Sequence, residues 1–89
     1  MIGIYTIINT LNNKVYIGYS KNINARLKGH LNSLRRGNHD NERLQRSFNK
    51  YGEDKFRFEV LEECDTIYLI SQEHYWCNIL KCHNDKFGY

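Results

Sequence analysis

The chain has 89 residues, with 13 Lys or Arg against 10 Asp or Glu and no proline. This length predicts a single domain over residues 1–89 with a modest hydrophobic core. No apolar run approaches the roughly 20 residues that span a bilayer, and the first residues lack the pattern of a signal peptide. We therefore expect a soluble, cytoplasmic protein that has no membrane partner.

The basic residues are unevenly distributed along the chain. Residues 1–60 carry eleven Lys or Arg and five Asp or Glu, a net charge of +6, whereas residues 61–89 carry a net charge of −3. A local basic surface attracts polyanions, nucleic acid foremost. A solvated helical face would explain the same charges, so charge alone leaves both interpretations open.

The first twenty residues have the pattern of a β-hairpin. Residues 2–9 and 15–20 are rich in Ile, Tyr, Val and Thr, which is typical of strands. Asn12 and Asn13 between them favour a tight turn, because Asn tolerates left-handed backbone conformations. We therefore predict two antiparallel strands at the start of the chain.

Two tyrosines occupy matching places in this hairpin. If residues 12–13 form the loop, Asn9 lies opposite Tyr16. Because side chains alternate along a strand, Tyr5 and Tyr16 then lie on the same face of the sheet. A slip of one residue would separate them, so the prediction depends on the register.

Two helices are predicted next. Asn22 can cap a helix that runs from residue 23 to about residue 36 and ends at Gly37. A second helix begins near residues 40–41 and ends at Gly52. The apolar residues at helical spacing, which we expect to face the core, are Ile23, Leu27, Leu31, Leu34, Leu44, Phe48 and Tyr51.

A third strand and a third helix complete the domain. Residues 55–64, KFRFEVLEEC, alternate in the manner of a strand, and Asp65 can cap a helix that carries Glu73 and ends near Leu80. The last nine residues give only a weak structural signal. The order β-β-α-α-β-α predicts an α+β domain, a small and mostly antiparallel sheet with helices packed against it.

The three cysteines allow two interpretations. Cys64, Cys77 and Cys82 are an odd number, which favours free thiols in a reducing compartment. A zinc site is the sharper alternative, because His74 and His83 lie within ten residues of Cys77 and Cys82. The segment lacks the short C-x2-C spacing that is usual in structural zinc sites, so we favour cysteines without a metal.

Several residues offer the parts that phosphodiester hydrolysis needs: an acceptor for the proton of a water, positive charge for the phosphate and, often, a metal held by a carboxylate. Tyr5, Tyr16 and His30 could relay a proton. Arg26 could contact a phosphate through its planar guanidinium, and Glu73 could hold Mg²⁺. Taken singly, each is better explained by packing or solvation, and together they indicate a small basic domain that binds nucleic acid.

The motifs also resemble a known family. GIY at residues 3–5 and YIG at residues 16–18 resemble the signature of the GIY-YIG endonucleases, and NARLKGH contains Arg26 and His30 where that family carries an arginine and a histidine. The segment NHDNERLQRSFNKYGEDKFRFEVLE is similar to phage and intron-encoded homing endonucleases. Glu73 and Asn84 match in order. The resemblance implies a three-stranded antiparallel sheet flanked by three helices, and a metal-dependent DNA endonuclease.

The resemblance also implies a role for each matched residue. Tyr5 would be the general base or the phenol that orients the water, with Tyr16 as its partner. Arg26 would stabilise the charge on the scissile phosphate, and Glu73 would bind a single divalent ion, Mg²⁺ or Mn²⁺.

Further residues are expected to support this site. His30 and His39 would assist proton transfer or contact the phosphate, and Asn84 would brace the site, although the spacing from Glu73 to Asn84 is short for homing enzymes. The other exposed cations that we expect to contact DNA are Arg35, Arg36, Arg43 and Arg46.

Homing endonucleases of this type usually continue into a separate DNA-binding region. We therefore expect either a catalytic domain of a longer parent chain or a minimal standalone member, active in the cytoplasm of a bacterial or phage-infected cell. The module alone should bind DNA weakly and with steep salt dependence. The alternative is a DNA- or RNA-binding module that has kept the fold and lost turnover. The presence of Tyr5, Tyr16, Arg26 and Glu73 favours the enzyme.

Overall fold

The computed structural model describes residues 1–82, 84 and 86–89. The predicted order of elements is confirmed. Short 3-10 turns at Glu53–Lys55 and Thr66–Tyr68 precede the third strand and the third helix. The strands and helices are β1 (Gly3–Asn9), β2 (Val15–Ser20), α1 (Ile23–Arg36), α2 (Glu42–Tyr51), β3 (Phe56–Glu63) and α3 (Leu69–Leu80).

The sheet is antiparallel throughout, with β1 at its centre and the strand order β2-β1-β3. Pairing on both sides makes β1 the most buried element of the protein. On one face of the sheet, α1 and α2 enclose the main hydrophobic core, whereas α3 packs against β1 and β2. The buried residues of that core are Ile7, Leu34, Leu44, Phe48 and Phe56.

The register of the hairpin differs from the prediction by two residues. Tyr16 lies opposite Ile7 rather than opposite Asn9, and Tyr5 lies opposite Gly18. Because side chains alternate with a period of two, a shift of two residues preserves the face on which each side chain lies. The prediction that Tyr5 and Tyr16 share a face therefore holds although its register was wrong.

A longer loop than the predicted two-residue turn causes this shift. The Asn9 amide donates to the Lys14 carbonyl at 3.0 Å, and the Asn13 amide donates to the Asn9 carbonyl at 2.8 Å. Asn13 takes the left-handed conformation, with φ of 61°. The buried Asn9 side chain also accepts from the Leu11 amide at 2.9 Å, which fixes the start of the loop.

Gly3, the glycine of the GIY motif, lies where β1 and β3 approach closely. The pairing of β1 with β3 shifts between Ile4 and Tyr5, so that β3 places one extra residue there. A Cβ at Gly3 would collide with the backbone carbonyl of Glu62. Gly3 is therefore required by the bulge in β3.

Local capping sets the ends of α1 and α2 as predicted. The Asn22 side chain accepts from the Ala25 amide, and Gly37 ends α1 with φ of 76°. The Asn41 side chain accepts from the Leu44 amide and begins α2. The caps place His39 and Asp40 in the short connection between the two helices, beside α1.

The expectation of free thiols is wrong for two of the three cysteines. Cys77 and Cys82 form a disulfide, whereas Cys64 is free. Lys81 turns the chain back at the end of α3 with φ of 59°, which brings the two cysteines together. This removes two ligands from the zinc alternative. No cluster of three metal-binding side chains occurs among the residues described, which exclude His83.

None of the helices in the described part of the chain is both long enough and apolar enough to cross a membrane.

Candidate active site

Two adjoining cavities form one cleft between β2, α1 and α3. The first, of about 370 Å³, is lined by Tyr5, Tyr16, Arg26 and Glu73 among others. The second, of about 160 Å³, shares Tyr16 and Arg26 and adds residues of α1 and of the connection to α2. We call the two together the cleft. The structure thus brings five predicted catalytic residues to one place: Tyr5, Tyr16, Arg26, His30 and Glu73.

Tyr5 is almost fully buried, with 1% of its surface exposed. It lies opposite Gly18, where a Cβ would collide with the Tyr5 hydroxyl and ring. Tyr5 of the GIY motif therefore fills the space that Gly18 of the YIG motif leaves empty. Any larger residue at position 18 would displace the phenol.

The Tyr5 hydroxyl begins a chain of buried hydrogen bonds. Tyr5 Oη lies 2.6 Å from His30 Nε2, and His30 Nδ1 lies 2.7 Å from His39 Nε2. The Asn41 backbone amide donates to His39 Nδ1 at 3.0 Å. His30 is 5% exposed and His39 is 9% exposed. The ring of His30 therefore points from α1 inward to Tyr5.

The direction of every hydrogen bond in this chain follows from its last member. A backbone amide can only donate, so Nδ1 of neutral His39 must be the acceptor and its proton must be on Nε2. His39 then donates to Nδ1 of His30, which places the His30 proton on Nε2. His30 therefore donates to the Tyr5 oxygen. One backbone amide fixes both imidazole tautomers.

Both imidazoles are held in the neutral form that this arrangement requires. Burial lowers the pKa of His30 to about 4, with further contributions from Arg26 and His39. Burial likewise lowers the pKa of His39, and Asp40 opposes that shift. At neutral pH neither ring carries a charge.

The two phenols also have shifted acidities. Burial raises the pKa of Tyr5, and the Arg26 guanidinium beside its hydroxyl opposes the rise. Burial raises the pKa of Tyr16, again against the charge of Arg26. Arg26 itself is exposed, and its contact with Tyr5 raises its pKa further. The cleft thus sets a solvent-accessible cation beside a buried hydroxyl.

Glu73 brings a carboxylate into the cleft from α3. It is half-buried, and its charge raises the pKa of both Tyr5 and Tyr16. Mg²⁺ is often bound by one carboxylate together with waters and phosphate oxygens. A single carboxylate beside a cation on an open cleft fits that kind of ion, whereas the described residues offer no cluster of three ligands.

Two further residues, Asp40 and Gln45, belong to the site although the sequence did not indicate them. Asp40 lines the cleft beside His39. Gln45 accepts from the His39 amide at 3.0 Å and donates to the Leu34 carbonyl at 3.0 Å, which holds the connection between the helices against α1. The sequence indicates Asp40 only as a position near the start of the second helix, and nothing in the sequence marks Gln45 as buried.

Other predicted site residues lie apart from the cleft. Arg35 makes a bidentate ion pair with Glu53, at 2.6 and 2.7 Å. Arg36 donates to the Asn32 carbonyl of its own helix at 3.3 Å.

Asn84 is not among the described residues that line the cleft, and its carboxamide accepts from the Lys86 amide at 2.8 Å. The remaining two, Arg43 and Arg46, line a different cavity.

This fold and this cleft define a class of protein. The profile of the GIY-YIG catalytic domain matches residues 1–86 of the chain. The chain therefore belongs to the GIY-YIG family of catalytic domains.

Two curated relatives are named as intron endonucleases. Intron-associated endonuclease 1 of Enterobacteria phage T4 is 46% identical over 76 residues, which cover 83% of this chain and 31% of the relative. A probable intron-encoded endonuclease 1 of Neurospora crassa is 47% identical over 60 residues, 67% of this chain and 18% of the relative. The chain thus spans less than a third of each relative.

The solved structures agree over the whole chain. The catalytic domain of the homing endonuclease I-TevI superimposes with a TM-score of 0.89 at 41% identity, covering 100% of this chain and 96% of that one. A mutant of the same catalytic domain gives a TM-score of 0.85 at 41% identity, covering 99% and 90%. The three-stranded antiparallel sheet flanked by helices is therefore confirmed.

Proposed function

We propose that this chain is the catalytic domain of a DNA endonuclease that hydrolyses phosphodiester bonds with the help of one divalent ion, Mg²⁺ or Mn²⁺. The observation that carries the proposal is the Tyr5 hydroxyl, which accepts a hydrogen bond from His30 in the same cleft as Arg26 and Glu73. Membership of the GIY-YIG family and two relatives named as endonucleases support it.

Tyr5 acts on the attacking water in this proposal. As a phenolate, its oxygen can accept from His30 Nε2, from the nearby Arg26 guanidinium and from the water at once. His30 therefore serves as a donor that stabilises the phenolate, and not as the acceptor of the Tyr5 proton. Burial raises the Tyr5 pKa, so the phenolate is scarce at neutral pH and becomes more abundant as the pH rises.

Arg26 and Glu73 act on the phosphate. The exposed guanidinium of Arg26 can donate two parallel hydrogen bonds to a phosphate and stabilise the charge that develops during attack. Glu73 would hold the divalent ion, which when bound supplies Lewis-acid stabilisation of the phosphate oxygens. Tyr16, at the join of the two cavities, would position the water or the phosphate.

The supporting residues have smaller roles. His39 acts through His30, because the single N–H of its neutral ring donates to His30 Nδ1. Asn84 would brace the last segment rather than touch the substrate. Arg35 and Arg36 would contribute long-range attraction for DNA from the exposed side of α1.

The chain is proposed to work as one part of a longer homing-type protein. It spans 31% of the phage relative, which leaves room for a separate DNA-binding region. The proposed setting is the cytoplasm of a bacterial or phage-infected cell.

Nicking of supercoiled plasmid in Mg²⁺ or Mn²⁺ tests the proposal. Arg26→Ala and Glu73→Ala should each lower the nicking rate by about 10² to 10³, as removal of one stabiliser of transition-state charge does. Arg57→Ala is the matched control, because Arg57 is an exposed cation on β3 that pairs with Glu59 at 2.6 Å. It should nick at the wild-type rate.

Two results would contradict the proposal. Full activity in both Arg26→Ala and Glu73→Ala would remove the assigned site. A wild-type chain that binds DNA yet never nicks it with either metal would indicate the binding module instead.

A further inference from the structure

A further cavity, of about 230 Å³ and separate from the two that form the cleft, lies between the hairpin loop and α2. None of the described residues that line it is acidic, and four are cationic: Lys14, Arg43, Arg46 and Lys50. We call this cavity the basic pocket. Arg43 already has an interaction within the chain, so the charge offered to a ligand is that of Lys14, Arg46 and Lys50. Within the described residues, no ion pair involves these three.

Hydroxyl groups also line the basic pocket. The Nδ2 atom of the buried Asn9 donates to Ser47 Oγ at 3.0 Å and to Tyr89 Oη at 3.1 Å, which uses both of its hydrogens. The two hydroxyl oxygens lie 2.6 Å apart. Only one hydroxyl hydrogen can occupy the space between them, so the other has no acceptor among the described residues. Both Ser47 and Tyr89 line the pocket.

We propose that the basic pocket binds a backbone phosphate of DNA, with the spare hydroxyl hydrogen as its directed donor and Lys14, Arg46 and Lys50 as the surrounding charge. A phosphodiester carries one negative charge and accepts hydrogen bonds on two free oxygens, which matches a pocket of cations around one neutral donor. The choice of DNA as the source of the phosphate rests on the proposed function.

The position of the basic pocket suits a strand that also enters the cleft. Lys14 lines the pocket and Tyr16 lines the cleft, and two residues of extended chain span about 7 Å. Along α2, Lys50 lies nine residues beyond Asn41, a rise of about 13 Å. A phosphate in the pocket would therefore lie within a few nucleotides of the scissile bond on the same strand.

The charges are tested by fluorescence anisotropy of a labelled 20-base-pair duplex without divalent metal. The double variant Arg46→Gln and Lys50→Gln should bind about tenfold more weakly at low salt, and the slope of log affinity against log salt should fall by about one to two. The control is Lys28→Gln with Lys55→Gln, which changes the net charge equally outside the pocket. Its affinity should stay within about twofold of wild type.

Removing the hydroxyl pair tests for a directed hydrogen bond to the phosphate, which a basic surface without such a donor would not provide. Ser47→Ala combined with Tyr89→Phe should weaken binding by about three- to tenfold and leave the salt slope unchanged, because a neutral donor releases no counterion. This variant also removes the acceptors of Asn9, so its thermal unfolding must be recorded. Lys14→Gln leaves the hydroxyl network intact and should lower the salt slope by about one.

Three outcomes would overturn the proposal. The control pair could lose as much affinity as the Arg46 and Lys50 pair, Lys14→Gln could leave the salt slope unchanged, or inorganic phosphate could saturate the pocket without displacing DNA.

Binding and cleavage are measured separately, by anisotropy without divalent metal and by nicking with Mg²⁺, in the wild-type chain and in every pocket variant. A wild-type chain that fails to nick, together with pocket variants that lose affinity, would reject the endonuclease and support the pocket. Nicking by wild type with unchanged affinity in every pocket variant would reject the pocket alone.

Discussion

The two walls of the cleft differ in almost every physical respect. The inner wall, formed by Tyr5, His30 and His39, is at most 9% exposed and carries no charge at neutral pH. The outer wall, formed by Arg26 and Glu73, carries one charge of each sign and is open to solvent. The inner wall is held by directed hydrogen bonds of 2.6 to 3.0 Å. The outer wall shapes the electrostatic field of the cleft.

This difference separates the handling of protons from the handling of charge. A buried hydroxyl has few waters around it, so its neighbours must fix which group donates. The Asn41 amide does this through two histidines. In the proposed function a phosphate and a metal ion exchange with solvent, so the groups that would bind them must be reachable from solvent, as Arg26 and Glu73 are.

Gly18→Ala should disrupt the inner wall most. The new Cβ collides with the Tyr5 hydroxyl, so the phenol must leave its contact with His30. We expect nicking to fall by about 10² or more, the effect of losing a general base. Gly29→Ala is the comparison for stability, because it adds the same methyl in α1 where no atom lies within 4 Å, although Gly29 also lines the cleft. It should leave stability unchanged or raise it by up to about 1 kcal/mol. Equal nicking rates in Gly18→Ala and wild type would contradict the assigned position of Tyr5.

His39→Leu should have an intermediate effect. Without His39, nothing fixes the tautomer of His30. Its proton can then move to Nδ1, and Nε2 no longer donates to the Tyr5 oxygen in every molecule. We expect the nicking rate to fall by about tenfold, and its rise with pH to move to higher pH, because the phenolate is less stabilised.

His39→Gln is the conservative comparison. Its amide can still donate from a position like that of Nε2, so it should recover most of the activity and the original pH profile. A merely structural role for His39 would lower the rate without moving the pH profile. Nitrogen chemical shifts that place the His30 proton on Nδ1 would contradict the assigned direction of the hydrogen-bond chain.

Stability should depend on pH through His30. Its pKa is lowered from 6.5 to about 4 in the folded protein, so below pH 6.5 the unfolded chain binds a proton that the folded chain does not. The contribution of the buried neutral ring is fully present above pH 6.5 and is lost as the pH falls to about 4. Urea unfolding should show a loss of about 2 to 3 kcal/mol between pH 7.5 and 4.5 from this group.

His30→Gln isolates this contribution, because it keeps a donor near Tyr5 and does not titrate. The variant should lose less stability than wild type over the same range. Parallel curves for the two proteins would show that His30 is not buried in its neutral form.

Features that depend on neighbours in sequence were predictable. Asn22, Gly37 and Asn41 cap their helices through contacts with residues at most four positions away, so their roles could be inferred from spacing. Tyr5 and Tyr16 were placed on one face despite the wrong loop, because alternation has a period of two and the error was two residues.

Features that depend on distant partners were not predictable in the same way. The hydrogen bond of His30 joins it to Tyr5, 25 residues away on a strand. The guanidinium of Arg35 pairs with Glu53, 18 residues away, a contact that the sequence did not indicate. The contacts of His30 and Arg35 required the packing of separate elements. The disulfide between Cys77 and Cys82 was also missed, although its partners are only five residues apart, because it depends on the left-handed turn at Lys81.

The sequence by itself determined the order of elements, the ends of the first two helices and the side chains that meet in the cleft, because these follow from local propensity, periodicity and motif spacing. Only the tertiary structure decided how the parts act on one another. It showed that Gly18 makes room for Tyr5 and that one amide of the α1–α2 connection directs the protons of two histidines. Both depend on distances between elements distant in sequence, which the packing of the sheet and helices sets.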